Sequence, residues 1–157
     1  MLNFYEKAVV MLGLHDLLPS TISMPAYLVT GYEPIDEEHR HLFARVNTYA
    51  HAIESQNDWL IERCHQFFRS YARTHFEHED AIMQRIHYES ALHNQHLRAH
   101  SRFWLHMEKI KEPGHRTHET LDFMLHWLEG HINHQDRQLC QVLLRDHPDF
   151  LEHDHRH

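Results

Sequence analysis

The sequence predicts an all-α fold: an antiparallel up-down-up-down four-helix bundle, preceded by an extra N-terminal helix and arm. Three observations predict it. Of the 157 residues 41% are hydrophobic, yet only 4 are Gly and 5 are Pro, which suits long helices with few turns. Apolar residues recur every three or four positions through four segments of about twenty residues or more, each about 30 Å long at 1.5 Å per residue. The connections between these segments are short, which makes neighbours antiparallel.

Residues 1–34 read as a short amphipathic helix and an extended arm. Phe4, Ala8, Met11 and Leu12 fall near helical spacing over residues 1–18, and Pro19, Ser20 and Thr21 end that run. From Ser23 to Pro34 the residues Pro25, Gly31 and Pro34 disfavour a helix, and this arm is expected to pack across the bundle. The bundle itself is expected over residues 35–145. Its first helix starts near Pro34–Asp36, because proline suits a first turn and acids suit its positive end. The stripe there is Ile35, His39, Leu42, Phe43, Val46, Ala50 and Ile53. After Asn57 and Asp58 a second stripe runs Leu60, Cys64, Phe67, Phe68, Tyr71, His75, Glu79, Ile82 and Met83. The third carries Leu92, His96, Ala99, His100, Phe103, Met107 and Ile110, and stops at Pro113–Gly114. The fourth carries Leu121, Met124, Leu128, His131, Ile132, Leu139 and Val142, fading before Pro148. Residues 146–157 form a polar, His-rich tail.

Charge and cysteine content narrow the function classes. The net charge of -8 with neutral histidine argues against a nucleic-acid partner held through phosphates. Protonating all 21 histidines gives -8 + 21 = +13, so the surface field reverses in mild acid. Cys64 and Cys140 make neither a disulfide framework nor a zinc knuckle and read as reduced thiols. The apolar run Ala8–Leu14 is short and flanked by Glu6, His15 and Asp16, so no signal peptide or membrane partner is expected. A cytoplasmic protein is expected.

Seven potential metal ligands fall on the four helical patterns, most of them on the apolar stripes: His39, His75, Glu79, His96, His100, His131 and Asp136. Burying five imidazoles and two carboxylates is costly unless something pairs with them, and a metal pair satisfies all seven. His75/Glu79 and His96/His100 are spaced i, i+4, which projects two ligands side by side. His41 is rotated about 200° from His39 and is expected to meet solvent. His78 lies only about 60° from His75, so periodicity leaves it open, and His93 sits at the edge of its stripe. His131 and Asp136 are separated by about 140° on a regular helix, which makes His134 the easier partner. For Asp136 to serve, it must reach around the stripe or the helix must widen into a π-like turn. Other histidines, including His51, His65, His87, His115, His118 and those of the tail, lie mostly off the stripes and are expected at the surface.

These residues resemble the haemerythrin family, in its bacterial branch. The resemblance runs from Thr30 to Leu139 and rests on four short motifs in order: Gly31…Ile35-Asp36-Glu37-Glu38-His39-Arg40…Leu42-Phe43…Asn47; His75-Phe76-x-x-Glu79…Met83; His96-x-x-x-His100-x-x-Phe103; and Trp127-Leu128-x-x-His131-Ile132-x-x-x-Asp136. The five-residue step from His131 to Asp136 is itself the family's spacing. Tyr88 is followed by Glu89 where the family usually has proline. The resemblance implies two iron ions with a bridging oxo or hydroxo group. One iron takes His96, His100 and His131, the other His39 and His75, and Glu79 and Asp136 bridge them. It further implies that dioxygen binds at an open position on the second iron, beside Trp127 and Leu128, with Phe43, Phe76 and Phe103 completing the pocket wall. The implied function is an oxygen carrier, store or sensor rather than an enzyme, and signalling would need a partner, reached through the N-terminal arm. Independently, imidazole and carboxylate donors without thiolate suit iron. The rival is a ferritin-like or haemerythrin-scaffold di-iron oxidase or peroxidase, given Glu38-x-x-His41 and Glu62-x-x-His65.

Overall fold

The computed structural model describes residues 22–112 and 114–150; the expected N-terminal helix over 1–18 and most of the tail lie outside them. Every regular element among the described residues is helical. Helix α1 spans Glu33–Glu54, α2 Asp58–Arg85, α3 Ser90–Lys109, α4 Thr117–His131 and α5 Arg137–Asp146. Between α4 and α5 the residues Ile132–Asp136 form a π-helical turn with helical backbone on both sides, so α4 and α5 make one interrupted rod. The bundle therefore has four rods.

Local chemistry sets the boundaries. Pro34 occupies the first turn of α1, where its missing N–H costs nothing. Gln56 turns through a left-handed φ of 53°, and the Asn57 side chain then accepts from the Leu60 N–H at 3.0 Å to cap α2. His87, with φ 51°, closes α2 in the same way, and Tyr88 N–H donates to the Met83 carbonyl at 2.9 Å. Glu89 caps α3, its carboxylate accepting from the N–H groups of Ala91 and Leu92 at 3.0 Å each.

The core divides into two apolar clusters. One holds Leu42, Phe43, Val46, Phe68, Phe76, Phe103, Met107, Met124 and Leu128 among others. The second holds Tyr32, Ile35, Ile82, Met83, Leu139, Cys140 and Leu143. Along α1 the chain passes from the second cluster (Ile35) through His39 to the first (Phe43). Along α2 it passes from the first (Phe76) through Glu79 to the second (Ile82). The third rod reverses again, from Leu92 packed on the second cluster to Phe103 in the first, and the fourth returns from Ile132 to Leu139. The order of clusters alternates rod by rod, as an up-down-up-down bundle requires. A polar layer lies between the clusters, at one level in all four rods.

The arm over residues 22–32 packs across this bundle. Ile22 N–H donates to Asn47 Oδ1 at 2.8 Å, and Arg137 donates to the carbonyls of Tyr27 and Val29. Leu28 is fully buried. Asp36 at the start of α1 takes three donors from the arm: Thr30 N–H and Oγ1 at 2.8 Å each and Gly31 N–H at 3.0 Å. Gly31 has a φ of 93°, and an added Cβ would press on Leu144 at 3.3 Å, so a side chain is disfavoured there twice over.

Candidate metal centre

The polar layer contains His39, His75, Glu79, His96, His100, His131 and Asp136, all between 0 and 5% exposed. Their ligand atoms converge as two overlapping groups. Glu79, His96, His100, His131 and Asp136 form one, and His39, His75, Glu79 and Asp136 form the other, with all ligand atoms of a group within 4.8 Å of each other. The two carboxylates belong to both, and each divides its oxygens between them. Glu79 Oε2 lies 3.2 Å from His96 Nε2 and 2.9 Å from His100 Nε2, while Oε1 lies 3.6 Å from His75 Nε2. Asp136 Oδ1 lies 3.2 Å from His96 Nε2 and 2.9 Å from His131 Nε2, while Oδ2 lies 2.9 Å from His39 Nε2.

The backbone explains how Asp136 joins. In the π turn the hydrogen-bonding step lengthens to five residues, which brings positions five apart into line. His131 and Asp136 thus share a face, and the widened turn, rather than a long reach around a regular helix, places the carboxylate. His134 points outward and is exposed. His93 and His78 are held elsewhere. His93 Nε2 pairs with Asp80 at 2.7 Å and His78 Nδ1 with Glu38 at 2.8 Å, so neither ring joins the converging set.

Several buried atoms of the layer have no hydrogen-bond partner: Nε2 of His39, Oε1 of Glu79 and both oxygens of Asp136 face the centre, while Nδ1 of His39 and of His96 lie behind their rings. His39 Nε2 and Asp136 Oδ2 come close without hydrogen-bond alignment. Each buried unsatisfied polar group costs about 1–3 kcal/mol. A cation between the centre-facing atoms removes their cost, and separations of 2.9–3.2 Å match the roughly 3 Å expected for two ligands at right angles around an ion with bonds near 2.1 Å. The residues fit a metal pair.

Protons stand in for cations in the metal-free cluster. Burial pushes the His75 and His96 imidazoles down, but Glu79 outweighs it, helped by Glu38 for His75 and Asp136 for His96, and their pKa values rise to about 9 and about 10. For His100 burial prevails, with the neighbouring rings of His131 and His96, and its pKa falls. Burial alone would raise both carboxyls; the surrounding imidazoles hold Glu79 and Asp136 well below the usual carboxylate range. Metal binding displaces those protons, so affinity depends on pH.

A family model, the Hemerythrin HHE cation binding domain, matches residues 30–143. The chain belongs to the haemerythrin family. No curated protein and no solved structure gives a significant match. Among described residues no helix is long and apolar enough to cross a membrane.

Of the expected pocket-wall residues, Phe76 stacks on His100 with ring centroids 3.8 Å apart, and Trp127 stacks on His131 at 4.5 Å. The Trp127 indole N–H donates to the Ala99 carbonyl at 3.2 Å, which fixes its plane. Phe103 packs on Phe76 and Trp127 behind them, and Phe43 and Leu128 are buried in the same apolar cluster. A surface groove of about 440 Å³ between α2 and α3 is floored by Phe76 and His100, with Trp104 and Leu97 on its sides.

Sequence periodicity misses four participants. Glu38 accepts from His75 Nδ1 at 2.6 Å, and Gln135 lies 3.2 Å from His131 Nδ1. The expectation that His65 and His115 meet solvent is wrong for His65, which is 5% exposed, and His115 is half-buried. At the bundle end remote from the metal centre, His65 Nε2 lies 2.9 Å from Tyr49 Oη, which donates to the Thr117 carbonyl at 3.2 Å. Thr120 Oγ1 is 2.8 Å from His115 Nε2 and 3.0 Å from His106 Nε2. Burial, reinforced by the other imidazoles, depresses His65 and His106 to about 4. The connection from α3 to α4 folds His115 over the bundle end, and no stripe on α2 carries that information.

Proposed function

We propose that this chain holds two iron ions, linked by Glu79, Asp136 and a bridging oxo or hydroxo group, and binds dioxygen reversibly as a carrier, store or sensor. The observation that supports it is the division of the ligand set. Three histidines serve one half and two the other, with both carboxylates spanning the two. Imidazole and carboxylate donors suit iron, and the set holds no thiolate to favour zinc. When bound, the iron pair would supply two electrons to dioxygen, and the two-histidine half, with fewer side-chain donors, is where dioxygen would bind.

The chain's own residues set the conditions. His39, His75, His96, His100 and His131 present Nε2 inward, and the two carboxylates supply the negative charge that lets two cations lie close together. Phe76 and Trp127 stack on His100 and His131 of the three-histidine half and hold those rings in plane. Phe76 also reaches within 5.8 Å of the His75 ring, centroid to centroid, and with Phe43, Phe103 and Leu128 the two form an apolar wall. A dry wall of this kind favours reversible binding over loss of oxidised products. The ferritin-like reading has little support. Its Glu62-x-x-His65 lies ten residues from His75 along α2, about 15 Å away, and His41 is exposed.

The test is anaerobic loading with ferrous iron, iron counted per chain, then optical titration with dioxygen. Two irons and a band that appears with oxygen and disappears on its removal support the proposal. Irreversible oxidation would move the assignment to an oxidase, and fewer than two irons would end it.

A further inference from the structure

Each of the five inward imidazoles turns Nε2 to the centre, which leaves Nδ1 for a second partner. For His39 and His96 that nitrogen has none. For His131 it meets the neutral amide of Gln135 at 3.2 Å. His75 alone gives Nδ1 to a carboxylate, Glu38, at 2.6 Å. Glu38 belongs to α1 and His75 to α2, and two further contacts fix the carboxylate between them. Its other oxygen takes His78 Nδ1 at 2.8 Å, and its backbone carbonyl accepts from Tyr71 Oη at 2.9 Å.

This arrangement is lopsided with respect to the centre. The half with two histidines is the one short of ligands, and it alone receives an anion behind an imidazole. A carboxylate on Nδ1 fixes the tautomer that leaves Nε2 free to ligate, and makes Nε2 a stronger donor. We propose that Glu38 is a positioning residue that secures the metal of the two-histidine half specifically, with His78 as the second hold on its carboxylate. The inference rests on the two-metal reading above. It also accounts for His78, which points to neither metal group yet lies one turn from His75 and is half-buried on the same acid.

The simpler role for Glu38 is a tie between α1 and α2, and the two roles separate by experiment. Wild type, Glu38→Gln and His78→Gln are loaded with ferrous iron and titrated with a competing chelator, with iron counted per chain and thermal stability measured on the metal-free forms. Glu38→Gln is nearly isosteric and turns the link into the kind His131 already has with Gln135. One of its two irons is expected to leave at a chelator concentration about 10- to 100-fold lower than in wild type, and the other at the wild-type concentration. His78→Gln shifts the same iron by less. Equal weakening of both irons, or no shift in either, overturns the proposal, as does a drop in metal-free stability without selective iron loss. A wild type that holds fewer than two irons fails the two-metal reading instead, so the two failures are distinct.

Discussion

Replacing His65 with glutamine is expected to make the protein less sensitive to acid, at a site well away from the metal centre. In the fold the ring is 5% exposed, and burial depresses its pKa from 6.5 to about 4. His115, Arg69 and His106 oppose its protonation, and Glu62 alone favours it. The sign follows from linkage. Between pH 6.5 and 4 the unfolded chain holds a proton on His65 that the folded chain refuses, so stability falls as pH drops through that window and is fully present above it. With those two pKa values, the loss from pH 7 to pH 5 is about 2 kcal/mol. The group lies at the solvent-facing end of the bundle, so screening reduces this to about 1–2 kcal/mol. The amide of glutamine still bonds Tyr49 Oη but does not titrate. Urea unfolding of chelator-treated wild type and His65→Gln at pH 7 and pH 5 isolates the contribution of His65 together with its coupling to His106 and His115, because the metal-centre histidines lie well away and are common to both proteins. Wild type is expected to lose about 1–2 kcal/mol more than the variant, or about 2–8 °C in melting temperature. Equal losses would refute the claim that the fold holds His65 neutral.

Phe76→Ala removes the ring that lies flat on His100 and floors the groove; a loss of about 3–5 kcal/mol in urea, with faster iron release to a chelator, is expected. Burial raises the thiol pKa of both Cys64 and Cys140, so neither is expected to react with a disulfide reagent until the chain is unfolded, when both should. Iron release in acid is read from loss of the metal-dependent absorption as pH falls through the histidine range, since each imidazole must be free of its proton to ligate. A band that persists well below pH 5 counts against an imidazole-rich centre.

Much of the bundle is legible in the sequence because burial in a helix has a period. The inward positions of all four rods, and the connections at Asn57 and Pro113–Gly114, follow from stripes and turn chemistry. The π turn is legible only as one of two alternatives: His131 and Asp136 lie five apart, a spacing that calls for a reach around the stripe or a widened turn, and the structure takes the widened turn. Glu38 is visible as a residue but not as a partner, since its bond to His75 spans 37 positions and joins two helices. The same holds for His65. Its neighbour Cys64 lies on the stripe, and the ring beside it is covered only because Tyr49, from another helix, and His115, from a connection, close over it. Periodicity reports which face of a helix is covered by its neighbours, and says nothing of what covers its end.

The two buried histidine groups show why burial alone does not identify a metal centre. Both bring three or more imidazoles from separate parts of the chain into an apolar surround. At the bundle end every ring finds a hydroxyl: Tyr49 for His65, Thr120 for His106 and His115. Their pKa values fall, as expected of neutral rings that resist charge. In the polar layer the rings face carboxylates, two of them rise to about 9 and 10, and both nitrogens of His39 and both oxygens of Asp136 still find no partner. A group that is complete without a guest depresses its bases and satisfies its atoms. The layer across the middle raises His75, His96 and His131, though His100 falls, and leaves Nε2 of His39 and both oxygens of Asp136 without partners, because its donors and acceptors are aimed at a shared point and not at one another. Hydrogen-bond satisfaction, more than the number of histidines, therefore tells the ligand cluster from the structural one in this chain.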